Sequence, residues 1–395
     1  MRKAGPVPPE IRPLTRDDAE AADALSTEAF GAPPRALREP WPVPGTCPWG
    51  AFVGHELAGV ATVRAFRSWF GGDAVPTAGI ASVAVRPEHR GAGLLAPLFA
   101  ALLADARERG AVVSALYPTA PGIYRRLGYE IVGELMDVEL QAEPLTRIPA
   151  PAGITLRRAD PADERDVAAH RDLYVRWARA QNGPLTREGV LEQPLGGHDT
   201  VTLAVDADDA VVGYAAWSRS DGYHAGTATV AVHELIALAA PATVALWRLF
   251  GGFRSVAGTV RVRTSGADAT RLVLPASSWR PVRQWPYCLR LLDVAGAFRA
   301  RGVAPIDVTL PFTVTGDGLD GTFRLTAHSG TAACEPAGDG GAGPVFTGRG
   351  LALAYAGVQS CANLRFGGLL SGPDTDDARW DTLLGGRPFH IRNYF

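Results

Sequence analysis

Between Ile80 and Tyr129 the hydrophobic period of the chain changes twice, and that change constrains the fold more than any other stretch. Ile80 to Val85 is an apolar run rich in β-branched residues and stopped by Arg86-Pro87, which reads as a buried strand. Arg90-Gly91-Ala92-Gly93 follows. Leu94, Leu95, Leu98, Phe99, Leu102 and Leu103 then recur at three-to-four spacing until Gly110, the single apolar stripe of a helix. Val112 to Tyr117 gives a second strand, and a short helix starts near Pro121 and ends at Gly128.

A strand, a glycine-rich turn and a helix in that order make an anion site. The first backbone N–H groups of a helix lack partners, and the helix dipole adds partial positive charge there. Gly91 and Gly93 remove the side chains that would hold a phosphate away from those amides. The Lys-Ser/Thr pair of a P-loop and a full G-x-G-x-x-G are both absent, so the residues alone specify only a pyrophosphate-bearing ligand.

Arg90-Gly-Ala-Gly93, directly after Ser82-Val-Ala-Val85, resembles the R-x-x-G-x-G/A signature with which GNAT acetyltransferases seat coenzyme A; Leu95 departs at the last position. With Gly122-Ile-Tyr-Arg-Arg-Leu-Gly-Tyr129 and the chain length, the pattern is similar to the Eis (enhanced intracellular survival) family, N-acetyltransferases of aminoglycosides and other amines. The resemblance is strongest over Thr77 to Tyr129 and continues, thinner, to Phe395. It implies acetyl-CoA as cosubstrate, held by Val83, Ala84 and Val85, by Arg90, Gly91, Ala92, Gly93, Leu94, Leu95 and Ala96, and by Thr119 and Ala120. It also implies Tyr124 as general acid, the main-chain carboxylate of Phe395 as base, and a homo-hexamer.

A tyrosine near pKa 10 protonating a thiolate near 8.5 works uphill by about 2 kcal/mol. A terminal carboxylate near 3.5 lies roughly 9 kcal/mol below an ammonium as a base, so it is expected to take the proton after attack, once the nitrogen has become acidic. Apolar residues at Phe389, Ile391 and Phe395 suggest a strand anchoring the tail.

At 395 residues the chain exceeds one hydrophobic core, and 47% hydrophobic with 20% charged residues fits a folding globular protein. A net charge of −2 gives no electrostatic case for nucleic acid or an anionic membrane. Cys47, Cys288, Cys334 and Cys361 are far apart and read as inert reduced thiols, and no metal is expected; the Gly316–Gly321 run is turn chemistry. With no signal region or membrane-spanning run, the expected location is the cytoplasm.

The expected fold class is α+β / α/β, with tandem GNAT domains followed by a C-terminal sterol-carrier-like α+β domain. Residues 1–145 read as the competent, acetyl-CoA-binding domain: an edge strand at Ile11–Leu14, a helix capped by Thr15 and Asp18 to about Phe30, a loop to Gly50, then strands at Ala51–Val53 and Leu57–Phe66. Residues 150–285 repeat the element order, but Ala237-Leu-Ala-Ala240 replaces the Arg-x-x-Gly turn, so this copy reads as degenerate. Residues 286–395 carry a helix expected over Leu289–Arg301, strands at Asp307–Val314, Thr322–Thr326 and Ala332–Glu335, and helices at Gly348–Ala356 and Leu364–Leu370.

In GNAT enzymes the segment after the first helix covers the acceptor, which makes Phe30 and Trp41 candidate walls, with Glu28, Asp23 and Glu39 as acidic candidates. The leading expectation is an amine N-acetyltransferase acting on aminoglycosides. Protein lysine or polyamine acetylation, and a non-catalytic acetyl-CoA- or lipid-binding protein, stay open.

Overall fold

The computed structural model describes residues 8–31, 39–274, 279–338 and 343–395. Part of the expected loop to Gly50, residues 32–38, lies outside these.

In the first repeat, β1 (Glu10–Pro13) leads through a one-turn segment into α1 (Ala19–Phe30). The capping box is formed: the Asp18 carboxylate accepts the Thr15 N–H at 2.8 Å, and both terminal nitrogens of Arg12 donate to the same carboxylate. Then come β2 (Thr46–Val53), β3 (Glu56–Phe70), β4 (Asp73–Val85), α2 (Leu95–Glu108), β5 (Val113–Leu116), α3 (Pro121–Arg125), β6 (Glu130–Gln141) and the short α4 (Ala142–Leu145). The α2 stripe is seated as its period requires: Leu98, Phe99, Leu102 and Leu103 are buried against Ala78, Ile80 and Leu116. Each such side chain contributes about 1.5–3 kcal/mol.

The second repeat runs β7 (Thr155–Arg158), α5 (Glu164–Arg179), β8 (Thr200–Val205), β9 (Val211–Arg219), β10 (Thr229–Ala237), α6 (Ala240–Gly251), β11 (Thr259–Ser265) and β12 (Arg280–Leu291). The two repeats form one mixed sheet in the order β1-β2-β3-β4-β5-β12-β6-β11-β10-β9-β8-β7. They interleave: β12, the last strand of the second repeat, lies between β5 and β6 of the first, while β6 pairs with β11.

After this sheet come α7 (Val294–Ala300), β13 (Val308–Thr315), β14 (Gly321–His328), β15 (Thr331–Pro336), β16 (Val345–Thr347), α8 (Gly348–Ala356), α9 (Cys361–Phe366), β17 (Leu370–Ser371) and α10 (Asp377–Leu384). The strands form a second sheet, β15-β14-β13-β16-β17. Phe298, Phe312, Phe346 and Trp380 pack edge to face in its core.

Several sequence expectations are corrected. Leu289 to Leu291 end β12, paired with β5 at Ala115 to Val113, and the helix begins only at Val294. That strand runs across the expected boundary between residues 285 and 286. Thr46 to Gly50 belong to β2, because β3 pairs with them from Arg64 to Val60. The helix expected over Leu364–Leu370 stops at Phe366, and Leu370 joins the second sheet. No described helix is long and apolar enough to cross a membrane.

Candidate active site

β4 pairs with β5 only from Thr77 to Ile80 and then continues alone to Val85, so the two parallel strands fork. On its other edge β4 stays paired with β3, but it carries one extra residue there and Ser82 has φ +53°. This bulge re-aims the strand end. The Arg86 N–H donates to Ala58, so by the two-residue alternation the amide of Val85 turns away from β3, into the fork. Thr119 and Ala120 sit beyond the end of β5, before α3, on the other arm.

The turn below the fork is open. Gly91 and Gly93 hold φ +79° and +78°, and no heavy atom lies within 4 Å of where either Cβ would be. Side chains there would both strain the turn and fill the space before the amides of Leu94, Leu95 and Ala96. Leu95 packs its side chain against the Phe99 cluster, so its departure from the motif leaves the cradle clear. Arg90 lies exposed with its Nε directed at the Val85 carbonyl.

Tyr124, on α3, is buried edge-on to Phe99 and Tyr129, and burial pushes its hydroxyl up to about 12. Arg125 turns to Glu130 at 2.7 Å and does not support it.

The chain end is anchored, though not as a strand. Ser265 binds the Ile391 N–H at 2.9 Å and an Arg392 guanidinium nitrogen at 2.6 Å, and Asp268 accepts a second Arg392 contact at 3.1 Å. Tyr117 donates to the Asn393 carbonyl, and Tyr174 donates to the Asn393 side chain. The Phe395 ring packs edge-on against Phe66 and Tyr117, over Gly79. The alternation seen at 389, 391 and 395 thus serves separate pockets. Because Ala78 and Ile80 face Tyr124 while Gly79 faces Phe395, the two rings lie on opposite faces of the fork.

A cavity of about 400 Å3 opens between α1, β3 and the Ser82 bulge. Ala19, Ala22, Asp23 and Ser26 line it at helical spacing, with Trp41 and Arg64 opposite. Of the expected acceptor walls only Trp41 lines it. Glu28 is off that stripe and pairs with Arg86 at 3.7 Å, Phe30 lies beyond the cavity at the half-exposed end of α1, and Glu39 pairs with Arg16. Ser82 and Arg64 carried no sequence signal as site residues, since both depend on the strand register.

An acetyltransferase (GNAT) domain family matches residues 10–132, and another matches residues 171–291. N-acetyltransferase Eis of Mycobacterium tuberculosis is 32% identical over 306 residues, 73% of each chain. The chain belongs to the Eis family of GNAT N-acetyltransferases. An uncharacterized N-acetyltransferase of Streptomyces avermitilis is 30% identical over 380 residues, 90% of this chain and 91% of that one. The GCN5-related N-acetyltransferase structure from Kribbella flavida superposes with TM-score 0.83 at 29% identity, covering 99% and 100% of the two chains. For an Eis-family enzyme, the forked strands and unobstructed glycine turn fit acetyl-CoA: the turn would take the pyrophosphate, and the fork would take the thioester arm.

Proposed function

We propose that this enzyme transfers the acetyl group of acetyl-CoA to a primary amine bound in the Asp23–Trp41 cavity, using Tyr124 and the Phe395 carboxylate. The observation that carries the reading is the β4–β5 fork, with the open turn of Gly91 and Gly93 on one side and the Asp23–Trp41 cavity on the other. The amide of Val85 would stabilise charge developing on the carbonyl oxygen. The amine nitrogen bonds to the carbonyl carbon, the carbon–sulfur bond breaks, and Tyr124 gives its proton to the sulfur. The amine attacks in its uncharged form; the Phe395 carboxylate takes the proton the nitrogen then sheds and returns it through solvent to the Tyr124 oxygen, leaving amide and thiol with both groups restored.

With Tyr124 at about 12, donation to a thiolate near 8.5 is uphill by about 5 kcal/mol, more than for a free tyrosine. It must therefore act as the thiolate forms in a dry fork, where no water competes. Asp23 is the carboxylate lining the acceptor cavity, and Arg64 lines it too, so the cavity holds one ammonium without a strongly acidic wall. Aminoglycosides are the first acceptors to test, on the family resemblance. This lining favours those that present one amine at a time, and it gives the lysine and polyamine reading a comparable claim.

We further assign the second repeat a scaffolding role without acetyl-CoA binding, because Ala237-Leu238-Ala239-Ala240 stands where the first has its glycine turn. The unit after β12 is read as sterol-carrier-like, the assembly as a hexamer, and the site of action as the cytoplasm.

Thiol release from acetyl-CoA, measured with a panel of aminoglycosides, polyamines and lysine peptides, tests this. Turnover on at least one class is expected. Tight acetyl-CoA binding with no turnover on any amine would leave the non-catalytic reading standing.

A further inference from the structure

The acceptor cleft has a counterpart in the second repeat. Arg157 of β7 grips Asp166 of α5 through both terminal nitrogens, at 2.6 and 2.8 Å, as Arg12 of β1 grips Asp18. Laying Asp18 on Asp166 sets the two helices in register. Ala19, Ala22, Asp23 and Ser26, which line the acceptor cavity, then fall on Val167, His170, Arg171 and Tyr174. Those four line a second cavity of about 210 Å3, closed by Trp69 and Leu195. The strand bulge recurs too: β10 carries His233 as an extra residue opposite β9, as β4 carries one opposite β3.

The chemistry of this cavity differs from the first. Arg187 and Glu234 neutralise each other by two contacts of 2.5 and 2.9 Å, and Tyr214 donates to the same carboxylate. The Arg187 guanidinium also covers the Tyr174 ring, at 3.5 Å from its centroid. Arg171, Glu188 and Glu192 are exposed at the mouth. What remains is a lining of Trp69, Tyr174 and Leu195, with Val167 at the exposed rim and Thr186 and Gln193 among its polar members, around one buried imidazole group. That group is His170, 3% exposed, whose Nε2 has no hydrogen-bond partner among the described residues. Burial keeps its imidazole uncharged near neutral pH, with its pKa lowered to about 4. A buried polar atom left without a partner costs about 1–3 kcal/mol, which a ligand group reaching it would recover.

We propose that this cavity is a ligand site of the second repeat, taking a small uncharged aromatic molecule that carries one hydrogen-bonding group for His170. No group transfer occurs there, a point that rests on the missing glycine turn.

Calorimetric titration of the full-length protein with indole and with phenol tests the site. Saturable binding of one probe per chain is expected. It should weaken at least about tenfold in His170→Leu, worth about 1.4 kcal/mol, and vanish in Val167→Trp, whose ring fills the cavity. Both variants should keep acetyl-CoA turnover on amines and the wild-type circular dichroism spectrum; Leu195→Trp replaces Val167→Trp if that variant misfolds. Absence of saturable binding of both probes, binding unchanged in the filled variants, or displacement of the probe by an amine acceptor would overturn the proposal. Turnover on amines reads the first repeat separately, so failure of one reading does not mimic failure of the other.

Discussion

The hydroxyl of Tyr117 donates to the main-chain carbonyl of Asn393 at 2.7 Å, fastening the chain two residues before its end to the loop that leaves β5. The tail is therefore tied to the arm of the fork itself, and its last residue has a defined place.

Adding one residue after Phe395 moves the terminal carboxylate while leaving the Ser265 and Asp268 contacts upstream. The expected result is a fall in kcat of at least about a hundredfold, in the range of general acid–base contributions, with acetyl-CoA affinity unchanged. Stopped assays of thiol release and calorimetric acetyl-CoA titration check it; an extended protein with full turnover removes the carboxylate from the mechanism.

Tyr124→Phe keeps the ring against Phe99 and Tyr129 and deletes only the hydroxyl. We expect kcat to drop about a hundredfold or more, with KM for acetyl-CoA within a factor of two. Equal kcat in the variant would clear Tyr124 of any role in proton transfer.

Gly93→Val places a branched side chain at φ +78°, in front of the helix amides. The backbone penalty is about 1–2 kcal/mol and the phosphate loses its approach, so acetyl-CoA affinity should fall at least about tenfold. An unaltered dissociation constant would mean that the pyrophosphate sits elsewhere.

His170 and His390 are both buried, and burial, reinforced at His390 by Arg392, lowers each to about 4 from the usual 6.5. Lowered histidines bind fewer protons folded than unfolded between those values. Stability is therefore complete above about pH 6.5 and declines as pH falls toward 4, by up to about 1.4 kcal/mol per pH unit for each group. Thermal melts across pH 4 to 7 should show this loss, with a shallower slope in His170→Phe. Identical slopes would place the acid sensitivity elsewhere.

Local order was legible in the sequence because it obeys period. The α2 stripe, the Thr15–Asp18 cap and the α8 span Gly348–Ala356 all came from spacing and turn chemistry. The positive-φ turn at Gly91 and Gly93 was legible as motif. What escaped depends on partners remote in the chain. Leu289 and Leu291 form part of an apolar run as compatible with a helix as with a strand, and only β5 and β6 on either side decide for strand. The Ser82 bulge is a register event, invisible without β3. Glu28 and Phe30 lie off the cavity beside α1 because the α1 face is set by its packing on β3 and β4, while Asp23, noted only for its charge, lies on the lining stripe.

The interleaving of β12 with β5 and β6 has a consequence for how the polypeptide matures. While the ribosome is still making the second repeat, β5 has an empty edge and β6 has neither of its eventual neighbours, so the first repeat waits, unfinished, for residues 280–291. Splitting the gene at the apparent joint between repeats would free two halves that each miss a central strand. Acetyl transfer and the second repeat are thus inseparable in biogenesis, whatever the second repeat binds.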